Sequence, residues 1–212
     1  MEFHNFLKYL PKIEKVSLPA MDAHLKMAPI ERMDALKKLN KDHLTPKIAA
    51  VMMLVYPKNG ISHTVLIIRN SYPGVHSSQI AFPGGKTELI DKDLAQTALR
   101  ETEEEVGVHS SSIEVIRPFT EVYIPPSNFM VTPFLGFTET TPEFILQQEE
   151  VAGIIEMPLH ELFNDQIVVE RKLMTSYAIA VDVPAFKVKE HIVWGATAMM
   201  ISELKETFRL VW

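Results

Sequence analysis

Arg100, Glu101, Glu103, Glu104 and Glu105 stand almost side by side in the chain, and their spacing points to metal chemistry. On a helix, Glu101, Glu104 and Glu105 share one edge, because positions i, i+3 and i+4 are neighbours. Glu103 points away with Gln96. Leu94, Ala95, Ala98, Leu99, Thr102 and Val106 form an apolar stripe that the three acids border. Each like-charge pair at this spacing destabilises a helix by about 0.2–0.5 kcal/mol, and the last turn lies at the negative end of the helix dipole. No Lys or Arg stands four residues after Glu101 or Glu104; those positions hold Glu105 and Val108. Arg100 is near enough to brace one carboxylate. A divalent cation would relieve the repulsion, and all-oxygen ligands favour Mg²⁺ or Mn²⁺ over zinc. The plainer alternative is an acidic face turned to solvent.

The acids need a frame. Asp93–Val106 carries the clearest helical periodicity in the chain, and Gly107 is a fitting stop. Upstream, Gln79–Phe82 reads as a short strand closed by Pro83-Gly84-Gly85-Lys86. Two glycines there let backbone approach a ligand closely and offer a carbonyl or amide to a metal or phosphate. Strand, glycine loop, acidic helix and glycine stop thus make a compact platform for a metal and a pyrophosphate. The apolar runs Lys47–Tyr56 and Thr64–Arg69 flank Pro57-Lys58-Asn59-Gly60, a hairpin signal. Ser112–Ile124 and Phe129–Phe137 read as strands around Pro125-Pro126-Ser127-Asn128. Val151–Glu156 is a strand followed by a short helix at Pro158–Phe163. Further strands fall near Gln166–Met174, Tyr177–Val188 and His191–Trp194, and a last helix spans Ala196–Phe208. Residues 1–45 differ in texture and include helical spacing over Pro29–Leu39. They are expected to form a helical extension that docks on the main domain, residues 46–212, or on a second subunit. The whole reads as an α/β (α+β) fold layered on a mixed sheet.

The chain has 212 residues, 47% of them hydrophobic, enough to bury a sizeable core. Its formal net charge of -6 disfavours nucleic acid and anionic membranes as general partners. Without Glu101, Glu103, Glu104 and Glu105 the balance is 21 minus 23, or -2, so most of the excess acid is one local feature. There is no cysteine, which excludes disulfides, Cys-ligated zinc, iron–sulfur clusters and a Cys nucleophile. With no signal-peptide pattern at Met1-Glu2-Phe3-His4, a cytoplasmic protein is expected. The longest apolar run, Ile48 to Tyr56, is too short to span a bilayer. The histidines show no paired metal spacing, Gly85-Lys86 lacks the P-loop pattern, and no G-x-S-x-G elbow is present.

Arg100-Glu101-Thr102-Glu103-Glu104-Glu105-Val106-Gly107-Val108 resembles the second half of the Nudix box, R-E-U-x-E-E-x-G-U, with Thr102 at its first apolar position. The first half departs. Counted back from Arg100, the first Glu of the box falls on Lys92, with Asp91 beside it, so the loop is one residue longer. The first-half acid is then Asp91 or Glu88. Leu66-Ile67-Ile68-Arg69-Asn70 and His76 through Gly85 are similar to the upstream motif of coenzyme A pyrophosphatases, with Arg69 and Phe82-Pro83-Gly84-Gly85 at matching spacing. Gly74 stands where that motif has a second Arg, and Ser78 where it has Gly. Ile192-Val193-Trp194-Gly195-Ala196-Thr197-Ala198 is also similar to this subgroup.

The resemblance implies a Nudix-type α/β/α sandwich with a mixed sheet. It implies a metal-dependent pyrophosphohydrolase that splits coenzyme A or acyl-coenzyme A into 3′,5′-ADP and 4′-phosphopantetheine or its acyl form. Glu101, Glu104 and Glu105 would hold Mg²⁺ or Mn²⁺, with the Gly85 carbonyl as a further ligand, and Arg100 would orient the carboxylates. A general base could come from Glu104 or from the loop acids Glu149 and Glu150. Arg69, His76 and Lys86 are candidates for the substrate phosphates. The small-molecule partner would be a nucleoside diphosphate derivative, with a homodimer left open. Two alternatives remain. One is the same chemistry on another such compound, for example ADP-ribose. The other is a binding or regulatory module without turnover, against which the costly acid cluster argues.

Overall fold

The computed structural model describes residues 1–29, 45–71, 79–173 and 181–212. The helical spacing over Pro29–Leu39 falls almost wholly outside them, and His76 lies outside them too.

Two helices open the chain, α1 (Phe3–Lys15) and α2 (Ala20–Leu25). The strands β1 (Lys47–Lys58) and β2 (Ile61–Arg69) follow as an antiparallel hairpin. Its turn places Asn59 and Gly60 at positive φ, the backbone state for which Asn-Gly is suited. Next come β3 (Ile80–Ala81), β4 (Gly84–Lys86) and α3 (Leu94–Val106). Then come β5 (Glu114–Pro118), β6 (Val122–Ile124), β7 (Phe129–Phe137) and β8 (Val151–Pro158). The described elements close with β9 (Val168–Leu173), β10 (Val181–Val188), β11 (His191–Trp194) and α4 (Gly195–Val211).

The main sheet runs β3-β2-β1-β7-β5, with β4 also on β1, β6 on β7 and β8 on β2. β1 and β7 are parallel and the other pairs antiparallel, so the sheet is mixed as expected. A second sheet, β11-β10-β9, feeds α4. β1 shows why its sequence is an unbroken apolar run. Ala49, Met53 and Val55 enter one core, with α1 and α4, while Ala50, Met52, Leu54 and Tyr56 enter the other, beneath α3. A strand buried on both faces has no polar side to alternate with. Helices on either side of the sheet make the α/β/α sandwich.

The leading helices dock on the same chain. Phe6 is fully buried and meets Phe137 and Phe208 edge-on. Arg117 Nη1 donates to the carbonyls of Ile13, Glu14 and Val16, which receives the orphan end of α1. Beneath α2, Glu203 of α4 is completely buried. Its carboxylate lies 3.0 Å from His24 Nε2 and accepts from Ala20 N–H, Thr120 N–H and the Thr120 hydroxyl. Burial works to raise this carboxyl, but the His24 and Thr120 contacts outweigh it and hold it below the usual range.

Some element boundaries differ from the sequence reading. The single strand expected over Ser112–Ile124 is two, β5 and β6, with Phe119 N–H turning inward to Pro133 O between them. The segment after β8 is a 3₁₀ turn, Leu159–Phe163. Gly84–Lys86, read as a loop, is itself a strand on β1. Among the described residues no helix is long and apolar enough to cross a membrane.

Candidate active site

The site forms where β4 lies on β1 and α3 lies across both. β4 can approach only because Gly84 has no side chain: a Cβ there would collide with Ala50 O and Val51 Cα. Gly85, opposite Ala50 in the ladder, has the Glu101 carboxyl group directly above it, where a Cβ would overlap. The doubled glycine therefore serves two approaches, backbone to backbone at Gly84 and carboxylate to backbone at Gly85.

α3 starts at Asp93, whose side chain caps it by accepting from Gln96 N–H at 2.8 Å. It ends at Gly107, at φ 73°, as the sequence predicted. Thr102 occupies a buried position suited to an apolar residue and satisfies its hydroxyl by donating to Ala98 O at 2.6 Å. Glu103 points away from the site and accepts from Ser110 N–H, binding the helix end to the next turn.

Arg100 organises the loop between β4 and α3. Its Nε and Nη2 donate to the two oxygens of Asp91 at 2.9 and 3.1 Å, and Nη2 also donates to Lys86 O. Nη1 donates to Glu101 at 2.9 Å and Glu104 at 3.1 Å. The sequence suggested one braced carboxylate; the planar fork reaches three. Asp91 accepts as well from Thr97 Oγ1 and Glu88 N–H. Arg100 above all holds its carboxyl well below the usual carboxylate range. Of the two first-half acids left open, Asp91 is the one engaged with the helix, while Glu88 is exposed.

Glu105 does not border the apolar stripe; it is part of the buried face, with 2% exposure. The sheet makes this possible by supplying Gly84 N–H, which donates to Glu105 Oε2 at 2.8 Å. Arg69 Nη1 stands 3.7 Å from Glu105 Oε1. Burial pushes the Glu105 carboxyl up to about 7; Gly84 N–H and Arg69 oppose that rise, and the charges of Glu101 and Glu150 add to it. Burial also raises Glu101, with Arg100 opposing and Glu104 and Glu150 adding.

Glu150 thus acts on both helix acids from another part of the chain. It lies with Glu149, Arg69, Asn70 and Ser71 around an open cleft of about 430 Å³. Arg69 Nε is buried without a hydrogen-bond partner among the described residues.

The structure brings Arg69, Gly85, Arg100, Glu101, Glu105 and Glu150 together. Glu104 stays at the margin, its side chain 58% exposed and turned to Arg100. Lys86 is exposed, and it is its carbonyl that is tied to Arg100. Among the described residues no three acidic or imidazole side chains close on one point as a finished metal cage. The donor set nevertheless fits a hard divalent cation. It is all oxygen, it sits over a glycine that leaves room, and its two inner carboxylates repel each other in partial burial. Sequence reasoning missed the Gly84 contact to Glu105, since it depends on β4 pairing with the distant β1.

Comparison with known proteins agrees with this architecture. Residues 46–177 match the family model of the NUDIX domain. A Yersinia enterocolitica protein named as an uncharacterized Nudix hydrolase NudL is 41% identical over 99 residues, 46% of this chain and 50% of that protein. Its Yersinia pestis counterpart is 42% identical over 89 residues, 42% of this chain and 44% of that one. The chain spans about half the length of the curated relatives it matches. In fold, it is similar to the Nudix hydrolase RenU of M. smegmatis, with TM-score 0.53 at 14% identity over 79% of this chain and 88% of that one. It is likewise similar to a MutT/nudix family protein of Enterococcus faecalis, with TM-score 0.51 at 16% identity over 89% and 73% of the two chains. The match to the NUDIX domain covers well over half of the residues, and the chain belongs to the Nudix family.

Proposed function

We propose that this chain is a divalent-metal-dependent hydrolase of a diphosphate that joins a nucleoside to a second moiety, with coenzyme A or acyl-coenzyme A as substrate. The observation that carries the reading is the pair Glu101 and Glu105 held over Gly84-Gly85, with Arg69 beside Glu105 and leading to a cleft that Glu150 also lines. A diphosphate needs cationic partners and a water with a base beside it, and this arrangement offers places for both. When bound, Mg²⁺ or Mn²⁺ supplies positive charge to phosphate oxygens and acidifies a water.

In this reading Glu101 and Glu105 hold the metal with the Gly85 carbonyl, and Glu104 joins them on leaving Arg100. Arg100 fixes the direction of Glu101 and locks the loop through Asp91. Arg69, in the cleft wall, receives a phosphate, and His76 and Lys86 are further phosphate contacts. Glu150 takes the proton of the attacking water, being the cleft acid that acts on both Glu101 and Glu105. Similarity of Leu66–Asn70 and His76–Gly85 to the coenzyme A pyrophosphatase motif supports the choice of substrate.

The test is incubation with Mg²⁺ or Mn²⁺ and coenzyme A, acyl-coenzyme A, ADP-ribose, NADH and dinucleoside polyphosphates, with products identified by mass. Preferred release of 3′,5′-ADP is the expected result. Strong cleavage of ADP-ribose with coenzyme A untouched would overturn the substrate, and silence on the whole panel would overturn the hydrolase.

A further inference from the structure

The turn that carries Glu150 is clasped from two sides. On one side Gln147 N–H donates to the Glu105 backbone carbonyl at 3.0 Å, which ties the turn to the last turn of α3. On the other side stands Asn70. Its backbone N–H donates to Glu150 O at 2.9 Å, and its side-chain Nδ2 donates to Gln148 O at 2.7 Å. Within the turn, Glu150 N–H and Val151 N–H both donate to Gln147 O, at 3.0 and 2.8 Å.

A break in the β2–β8 ladder brings Asn70 to this place. Ile68 pairs with Gly153 but Arg69 pairs with Val151, so Ala152 is an extra residue on β8. Such a bulge bends the strand and re-aims the side chains beside it. Arg69 is left in the cleft wall, and the next residue meets the turn. The amide of Asn70 suits this position, because it donates to a carbonyl without adding charge to a cleft that already holds Glu149 and Glu150.

We propose that Asn70 is a positioning residue: by latching the turn at residues 147–150 to the end of β2, it fixes the Glu150 carboxylate beside Arg69 at the cleft. It acts on the rate of hydrolysis through Glu150 and leaves substrate affinity to Arg69. The rate claim rests on the hydrolase reading; the latch itself does not.

The test is a double-mutant cycle on the full chain with Asn70→Ala, Glu150→Gln and the pair, assayed with Mg²⁺ on the panel compound that the wild type cleaves fastest. Asn70→Ala should lower kcat by roughly fivefold, the size expected from losing one hydrogen bond at a solvent-accessible place, with KM nearly unchanged. In the Glu150→Gln background it should lower kcat no further. Asn70→Asp, of the same shape without the donor, should lose at least as much as Asn70→Ala. Amide hydrogen exchange at Glu150 and Val151 should quicken in both Asn70 variants while exchange in β1 does not. Equal losses in the two backgrounds, or an unchanged kcat with faster exchange, would overturn the rate claim. Unchanged exchange would overturn the latch. A wild type that cleaves nothing on the panel would remove the hydrolase reading and the rate claim together, and exchange would still judge the latch.

Discussion

Arg100 and Asp91 form a two-point pair, Nε to Oδ1 at 2.9 Å and Nη2 to Oδ2 at 3.1 Å, across the loop that leads into the acidic helix. The remaining guanidinium nitrogen holds Glu101 and Glu104. One side chain therefore couples loop position to carboxylate position. Asp91→Ala should free the loop and release Arg100 onto the helix acids. We expect about 2–4 kcal/mol of lost stability and a drop of roughly 10–100-fold in metal-dependent turnover. Arg100→Lys should fail to restore either, because an ammonium cannot span two oxygens and a third group at once. Thermal melts and initial rates on the three proteins check this, and wild-type behaviour of Asp91→Ala would refute it.

Adjacent glycines should respond differently to the same substitution. At Gly84 an added Cβ meets backbone atoms of Ala50 and Val51, which cannot withdraw. Gly84→Ala should therefore cost several kcal/mol and yield little folded protein. At Gly85 the obstacle is the end of the Glu101 side chain, which can swing aside. Gly85→Ala should keep nearly the wild-type melting temperature and lose most turnover. Circular dichroism melts paired with rates separate the two, and an active Gly85→Ala would show that Glu101 need not sit above this glycine.

Much of this was legible in the sequence, for a physical reason in each case. The two-faced burial of β1 leaves an unbroken apolar run, Asn59-Gly60 requires its turn, and Asp93 and Gly107 mark both ends of α3. Helical spacing alone puts Glu101, Glu104 and Glu105 on one edge, with Arg100 one turn from Glu104. The burial of Glu105 was not legible, since it depends on Gly84 N–H arriving from a neighbouring strand. β4 was missed because glycine-rich segments carry no strand propensity. Asn70 was missed because the turn it holds lies far along the chain.

Glu105 gives a pH-dependent signature in metal-free buffer. Its folded carboxyl sits at about 7, above the value near 4.3 of an unfolded Glu. Between these values the folded state keeps a proton that the unfolded state has lost, so its contribution to stability falls as pH rises from about 4.5 to 7. Glu105→Gln retains an acceptor for Gly84 N–H and removes the charge. In EDTA it should melt above the wild type at pH 8, by up to about 3 kcal/mol, and close to it at pH 4.5. Melts at the two pH values check this; a Gln variant less stable at pH 8 would contradict it.

Glu203 should show the opposite sign. Its folded carboxyl lies below its unfolded value, so its contribution is present above about pH 4.3 and is lost as pH falls through the folded value. Glu203→Ala would strand His24, Ala20 N–H and Thr120 in a buried site, at a cost of about 3 kcal/mol. Urea unfolding of both proteins from pH 6 to pH 3 should show the gap narrowing toward acid. A gap that stays constant would mean that the carboxylate charge contributes nothing to docking α2.

The most direct test of the metal-carboxylate site is cleavage of coenzyme A with and without Mg²⁺ or Mn²⁺, by the wild type, Glu101→Gln and Glu105→Gln, with products followed by mass. The proposed function predicts metal-dependent release of 3′,5′-ADP by the wild type and a loss on the order of a hundredfold or more in each variant, with both variants still folded. Full metal-dependent activity in both variants would contradict it.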